Sequence, residues 1–279
     1  MRTVAVAGLG LIGGSLARDL AAAGTRVLGW DGDAASVGAA VGEGIVSAAL
    51  GPGLEGVEDA DVLVIAVPVG AAAGVLERAM PRLASVRLVT DTGSTKASIV
   101  AAAERLGIGD RFVGSHPFAG SHRGGWTASR EKLFERAVVY LSPTSRTSQD
   151  AMVLARQLWS GVGGLPREIS ADEHDARLAW TSHLPQAVSG ALGGAIADAG
   201  FTRADLGTGG RDVTRLAASS PSLWADIFLD NRIPVAEALA AVEARLRALR
   251  AAIESGDADA ITRAAFPPST WSGEAGSSH

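Results

Sequence analysis

Short apolar runs rich in β-branched residues alternate with alanine-rich stretches along the first part of the chain. TVAVA (3–7), RVLGW (26–30), DVLVIAV (61–67), RLVTD (87–91), RFVGS (111–115) and VVYLS (138–142) are apolar on both faces when extended. That pattern suits parallel strands covered by helices on each side. Strands alternating with helices predict a doubly wound α/β domain over residues 1–169. From Ser170 the spacing turns helical, broken by Gly and Pro, and no strand-like run follows before Phe266. Ser170 and Glu173 form an S-x-x-E capping signature that opens a long helix. Leu239, Val242, Leu246, Leu249 and Ile253 recur at steps of three and four, one apolar stripe on a later helix. Such a stripe serves packing within the domain or contact with a second subunit, and the spacing alone leaves both open. Residues 170–279 are thus expected to form an all-helical unit, with 267–279 a frayed tail.

The first strand runs directly into GLGLIG, which opens a helix. Gly8 permits a tight turn, Gly10 lets a pyrophosphate approach the backbone, and Gly13 lets helix and strand pack closely. With Leu11 and Ile12 these residues place helix N–H groups and a positive dipole end at a phosphate site. Asp31 ends the second strand, where a carboxylate accepts hydrogen bonds from the adenosine ribose. It repels a 2′-phosphate, and neither Gly32 nor Asp33 offsets it, so NAD is expected over NADP. Asp31 as the cap of the next helix is the plainer alternative.

Composition narrows the partners. The 279 residues are 47% hydrophobic and 20% charged, the balance of a folded chain, and carry a net charge of −5. Nothing here makes a basic footprint for nucleic acid or an anionic membrane. The absence of cysteine removes disulfides, thiolate metal sites and a thiol nucleophile. No His/Asp/Glu set has metal-ligand spacing, and no metal is expected. The apolar run after Arg2 is too short to span a bilayer and too rich in glycine for a signal helix. A cytoplasmic, unprocessed chain is expected.

In an open parallel sheet, ligands bind beyond the carboxyl ends of the strands. Those ends present Gly8, Asp31, Val67-Pro68, Asp91 to Ser94, and Ser115-His116. The first four suit a dinucleotide. His116 is then the imidazole that a strand delivers to this edge, and Pro117 biases it towards extended backbone. His122 lies further out in GSHRGGW, a solvated bystander. His174 and His183 are half a turn out of phase on a regular helix and are not expected at one site. His183 and Gln186 share a face, and Pro185 between them implies an irregularity. Arg211 follows a glycine-rich turn, with Arg215 at i+4, and its planar fork suits a carboxylate. An exposed helix start neutralised by Asp212 explains Arg211 equally well.

GLGLIGGSLA, DADVLVIAVP, DTGSTK, GSHPFAGS, EHD…SHLP and GGRDVTRLAASSPSLWADIFLDN occur in this order. Together they resemble the prephenate/arogenate dehydrogenase family of tyrosine biosynthesis, in its form without an ACT or chorismate mutase domain. The resemblance runs from about residue 3 to 265. It implies a Rossmann domain joined to a helical, dimerising domain, with the active site between them. It implies oxidation of prephenate or arogenate at C4 with NAD, and loss of the ring carboxylate as CO2. His116 then matches the base at the C4 hydroxyl, and Ser94 the serine that supports it beside the nicotinamide. Arg211 matches the arginine that binds a substrate carboxylate, and His183 the first histidine of an SHLPH motif. Here the motif reads SHLPQ, so Gln186 replaces a second histidine and leaves prephenate and arogenate both open. Gly210 stands where many members have Phe. A β-hydroxyacid dehydrogenase or imine reductase of similar plan places a lysine on its helical domain, whereas Lys96 and Lys132 precede that domain here. A non-catalytic NAD-binding module leaves His116, His183 and Arg211 unexplained.

Overall fold

The computed structural model describes residues 1–120 and 124–266, so His122 and the 267–279 tail lie outside the described residues. Eight strands form one sheet: β1 (Thr3–Ala7), β2 (Arg26–Trp30), β3 (Ala48–Ala49), β4 (Val62–Ile65), β5 (Leu88–Asp91), β6 (Phe112–Pro117), β7 (Val138–Pro143) and β8 (Leu165–Glu168). Their spatial order is β3-β2-β1-β4-β5-β6-β7-β8. Six coincide with apolar runs in the sequence. The other two are edge strands with weak signals: β3 is two alanines, and β8 carries Pro166, which an edge tolerates because no neighbour needs its N–H.

The sheet is not wholly parallel, which corrects the expectation from patterning. β7 runs antiparallel to β6, with His116 opposite Tyr140, and every other pair is parallel. Side-chain period does not encode strand direction; the connection does, and the described residues between 118 and 137 lack the crossover helix that a parallel pair needs.

Helices α1 (Leu11–Ala22), α2 (Ala34–Gly42), α3 (Val69–Ala79), α4 (Ala97–Arg105) and α5 (Gln149–Gly161) flank the sheet. Leu16, Leu20, Leu158 and Trp159 pack α1 and α5 onto one face, and Val75, Leu76, Ile99 and Ala103 pack α3 and α4 onto the other. Beyond Glu168 the described chain is helical: α6 (Ala171–Leu178), a π turn (Ala179–His183), α7 (Leu184–Asp198), α8 (Thr208–Val213), α9 (Pro221–Asp230), α10 (Arg232–Ser255) and α11 (Ala258–Ala265). The Ser170 hydroxyl accepts the Glu173 N–H at 3.2 Å, capping α6 as the signature predicts. Among the described residues no helix is long and apolar enough to cross a membrane.

The two halves meet where α9 lies against α3 and α4. Asp226 packs beside Gly70, and the Asp230 carboxylate accepts from the hydroxyls of Thr95 and Ser98. The stripe on α10 is only half used by the chain's own packing. Leu239, Val242 and Leu249 are partly covered, whereas Leu246 and Ile253 are 58% and 59% exposed.

The glycines of the first turn separate packing from ligand space. Gly8 has φ +105°, which L side chains rarely adopt. A Cβ on Gly13 meets the Gly8 carbonyl oxygen at 1.9 Å, whereas a Cβ on Gly10 meets nothing within 4 Å. Gly13→Ala should therefore lower unfolding free energy by about 1–3 kcal/mol in urea titrations, while Gly10→Ala leaves it unchanged. Equal stability of the two variants would remove the packing role of Gly13.

Candidate active site

At the β1 end, a cavity of about 450 Å³ is lined by Gly8, Gly10, Asp31, Val67, Pro68 and, beyond the sequence expectation, Trp30 and Arg78. The Asp31 carboxylate accepts the Leu9 N–H at 2.6 Å and the Asp33 N–H at 2.8 Å, so the turn itself aims it. Arg78 stacks 5.1 Å above the Trp30 ring, bringing a guanidinium that a search near Asp31 in sequence does not reach. Leu11 and Ile12 open α1, which has no side-chain cap and no acidic residue in its first turn. Its leading N–H groups are thus available to an anion, and the open space at Gly10 admits one. These residues fit a dinucleotide.

Asp91 does not join them. Its carboxylate is 1% exposed, forms an ion pair with the fully buried Lys96, and accepts the N–H groups of Gly93 at 2.8 Å and Ser115 at 3.0 Å. It ties β5 to β6 from within, which corrects its assignment to the cofactor.

At the end of β6, His116 is 8% exposed. Its Nδ1 lies 2.9 Å from Nε2 of His174, and His174 Nδ1 lies 2.8 Å from Asp175 Oδ1. Asp175 also accepts the N–H groups of Lys96 and Ala97 at 2.8 and 2.9 Å, capping α4 from the other domain. Asn231 donates to the Asp175 carbonyl at 2.8 Å and bridges to His183 Nδ1 at 3.0 Å. The His116 ring faces a cavity of about 330 Å³ shared with Ser94, Phe118, Ser182 and Trp224. Ser94 is therefore beside His116, but the support at Nδ1 comes from His174.

Both helix histidines are buried near His116, contrary to the phase argument. The irregularity that Pro185 implies is the π turn at Ala179–His183. Its wider i→i+5 turn changes the phase between His174 and His183, so regular-helix arithmetic fails. Burial, with His174, Lys96 and His183 nearby, holds His116 well below the usual histidine range. Burial also lowers His174, partly offset by Asp175. Burial opposes ionisation of Asp175, but hydrogen bonds from His174, Ala97 and Lys96 outweigh it and keep the carboxylate charged. His183 sits at about 4, lowered by burial against the pull of Asp175, and its Nε2 is buried without a partner.

A second cavity, about 880 Å³, adjoins through Gly120 and Trp224 and is lined by Arg130, Arg203, Arg215 and Gln186. The structure brings Arg215, not Arg211, to this space. Arg211 instead donates to the Leu206 carbonyl. α8 ends at Val213 and a 3₁₀ turn starts at Arg215, so the two arginines do not share one helix face. Gln186 lines the cavity as expected, while its amide donates to the Leu216 carbonyl and accepts from the Ser219 hydroxyl, shaping the turn that presents Arg215. No carboxylate lines this cavity among the described residues.

Comparison with known proteins fits this geometry. Residues 16–166 match the model for the prephenate dehydrogenase nucleotide-binding domain, and residues 170–265 match that for its dimerization domain. The chain belongs to the prephenate dehydrogenase family. It is 33% identical to prephenate dehydrogenase of Bacillus subtilis, over 94% of this chain and 72% of that protein. Prephenate dehydrogenase of A. aeolicus, solved with hydroxyphenyl propionate and NAD+, superimposes with TM-score 0.86 at 32% identity over 94% of each chain. Synechocystis arogenate dehydrogenase superimposes with TM-score 0.78 at 29% identity, over 94% of this chain and 95% of that one. Proteins similar to this chain are thus named for either substrate.

Sequence reasoning missed His174, Asp175, Asn231, Arg130, Arg203 and Arg78 as parts of these sites. The EHD triplet was visible as a motif, but only the fold shows that it meets His116. The His183 environment has a measurable consequence. An unfolded chain binds the proton near pH 6.5, the folded one only near 4, so stability falls as pH drops through that window. The loss attributable to this residue is on the order of 3 kcal/mol. Urea titrations at both ends of the window should show a smaller acid-induced loss in His183→Gln; an unchanged difference contradicts the assignment.

Proposed function

We propose that the chain oxidises prephenate with NAD to 4-hydroxyphenylpyruvate and CO2, with His116 as the base at the C4 hydroxyl. The observation that carries this reading is the pairing of one buried, neutral imidazole with an adjoining cavity ringed by three guanidinium groups. NAD, when bound, supplies the acceptor for the hydride that leaves C4. His116 takes the hydroxyl proton in the same step, the task of a positioned general base. Breaking the bond to the ring carboxylate releases CO2 and sends its electron pair through the ring to that oxygen. His116 returns the proton to the resulting phenolate, so the protein ends each turnover as it began.

Arg215 is the principal carboxylate contact in this reading, with Arg203 and Arg130 across the cavity and His183 and Gln186 alongside. Prephenate carries two carboxylates and no ammonium. Three arginines in a cavity lined by no carboxylate among the described residues favour it over arogenate, whose side-chain ammonium is repelled by the same charges. Gly8, Gly10, Leu11, Ile12, Gly13, Asp31, Val67 and Pro68 hold the cofactor. The exposed Leu246 and Ile253 of α10, together with Leu229 and Ile233 at 67% and 64% exposure, form the contact of a homodimer.

Purified enzyme with each substrate and each cofactor should produce reduced nicotinamide fastest with prephenate and NAD. His116→Asn should lose activity by roughly 10²–10⁴-fold with NAD binding intact. Arg215→Ala should raise KM far more than Arg211→Ala. Full turnover in His116→Asn, or equal effects of the two arginine variants, contradicts these roles. Because a lowered base stays neutral in mild acid, kcat/KM should hold below pH 6.5 and fall only further down. A decline that begins above 6.5 contradicts the buried environment of His116. For the dimer, Leu246→Glu should shift the sedimentation coefficient to that of a monomer; an unaltered dimer removes α10 from the interface.

A further inference from the structure

We infer that His174 and Asp175 are positioning residues that fix His116 in the tautomer with the proton on Nδ1 and the lone pair on Nε2. The inference rests on His116 being the base, and it explains how that base is prepared.

The assignment follows from hydrogen-bond roles along one buried chain. A carboxylate only accepts, so the 2.8 Å contact between Asp175 Oδ1 and His174 Nδ1 requires the proton on His174 Nδ1. Neutral His174 then bears its lone pair on Nε2. The 2.9 Å contact from that nitrogen to His116 Nδ1 requires the proton on His116 Nδ1. The lone pair left on His116 is on Nε2, at the opposite edge of a ring that lines the cavity with Ser94. Burial keeps both imidazoles neutral, so neither link is blurred by a second proton.

Asp175 could reverse the chain only by protonation or rotation, and the fold opposes both. Its two oxygens accept the Lys96 and Ala97 N–H groups at the start of α4, where the helix dipole also favours a negative charge. Tyr140 packs edge-on against His174 at 5.5 Å between ring centres and limits its tilt. Asn231 holds the Asp175 carbonyl. The base thus comes from the nucleotide-binding domain and its orientation from the helical one. A closed contact between the domains is part of the chemistry, as for second-layer groups that hold a reactive imidazole.

Two substitutions of similar polarity separate positioning from mere packing. Asn at 174 reaches the position of Nδ1, keeping a donor to Asp175 but offering His116 nothing. Gln at 174 extends to the position of Nε2 and restores an acceptor. His174→Asn should lower kcat roughly 10²-fold with KM and NAD affinity near wild type, and His174→Gln should recover to within about tenfold. Nitrogen-15 NMR of the histidine rings should show His116 protonated on Nδ1 in wild type and His174→Gln, and a mixture in His174→Asn. A His116 ring protonated on Nε2 in wild type overturns the inference, as does a His174→Asn enzyme of undiminished kcat. If His116→Asn itself retains activity, the base assignment fails instead, and the two failures are distinguishable.

Discussion

A charged carboxylate and a charged ammonium have been folded into a place that water does not reach, and the site is built around satisfying them. Asp91 and Lys96 are 1% and 0% exposed, and stripping either partner from such a pair typically costs about 3–5 kcal/mol. Asp91 is satisfied by the amides of Gly93 and Ser115, which fixes the start of one loop and the last residues of β6 before His116. Lys96 turns its side chain inward to reach Asp91, and this leaves its own backbone N–H at the head of α4 facing the second domain. Asp175 fills that vacancy. One requirement, that buried charge be fully paired, thereby connects the sheet, a flanking helix, the second domain and the imidazole at its centre.

The fold was legible wherever burial was symmetric. Strands covered on both faces read as continuous apolar runs, and six of them could be placed because strands between helix layers have no polar face to blur the signal. β3 and β8 were illegible for the opposite reason: at an edge the sheet asks little of a side chain, so two alanines or a proline-containing segment suffices. The antiparallel turn of β7 was illegible on different grounds. Alternation of side chains is the same in either direction, and only the lack of a crossover helix among the described residues between 118 and 137 distinguishes the two.

Within the site, the legible residues are those whose role is local. Gly8, Gly10 and Gly13 take their places from a single turn, Asp31 from the strand it ends, and His116 from the strand that delivers it. What stayed hidden depends on distance or on helix phase. His174 was set aside by an angle computed for a regular helix, and the π turn before Pro185 invalidates that angle. Arg211 stands out in the sequence because it follows a glycine-rich turn, whereas α8 stops before Arg215 and it is Arg215 that faces the cavity. Arg78 reaches the nucleotide pocket from a helix remote in sequence, stacked on an aromatic ring that no spacing rule connects to it.

The reversed β7 has a consequence for how such an enzyme can change. A crossover would carry the chain away from the ligand edge to the far end of the sheet before the next strand. Because β7 begins where β6 stops, the connection leaves from and returns to the ligand edge, where Gly120 and Arg130 line the arginine cavity and the Arg130 N–H reaches the Ser15 hydroxyl behind the glycine turn. The described part of this connection is also built into the core, because Trp126, Leu133 and Phe134 are buried on the α1 and α5 side of the sheet. A change that recharges the cavity at Arg130 must therefore leave those three buried anchors in place, so the connection can vary in its charges but not in its apolar footing.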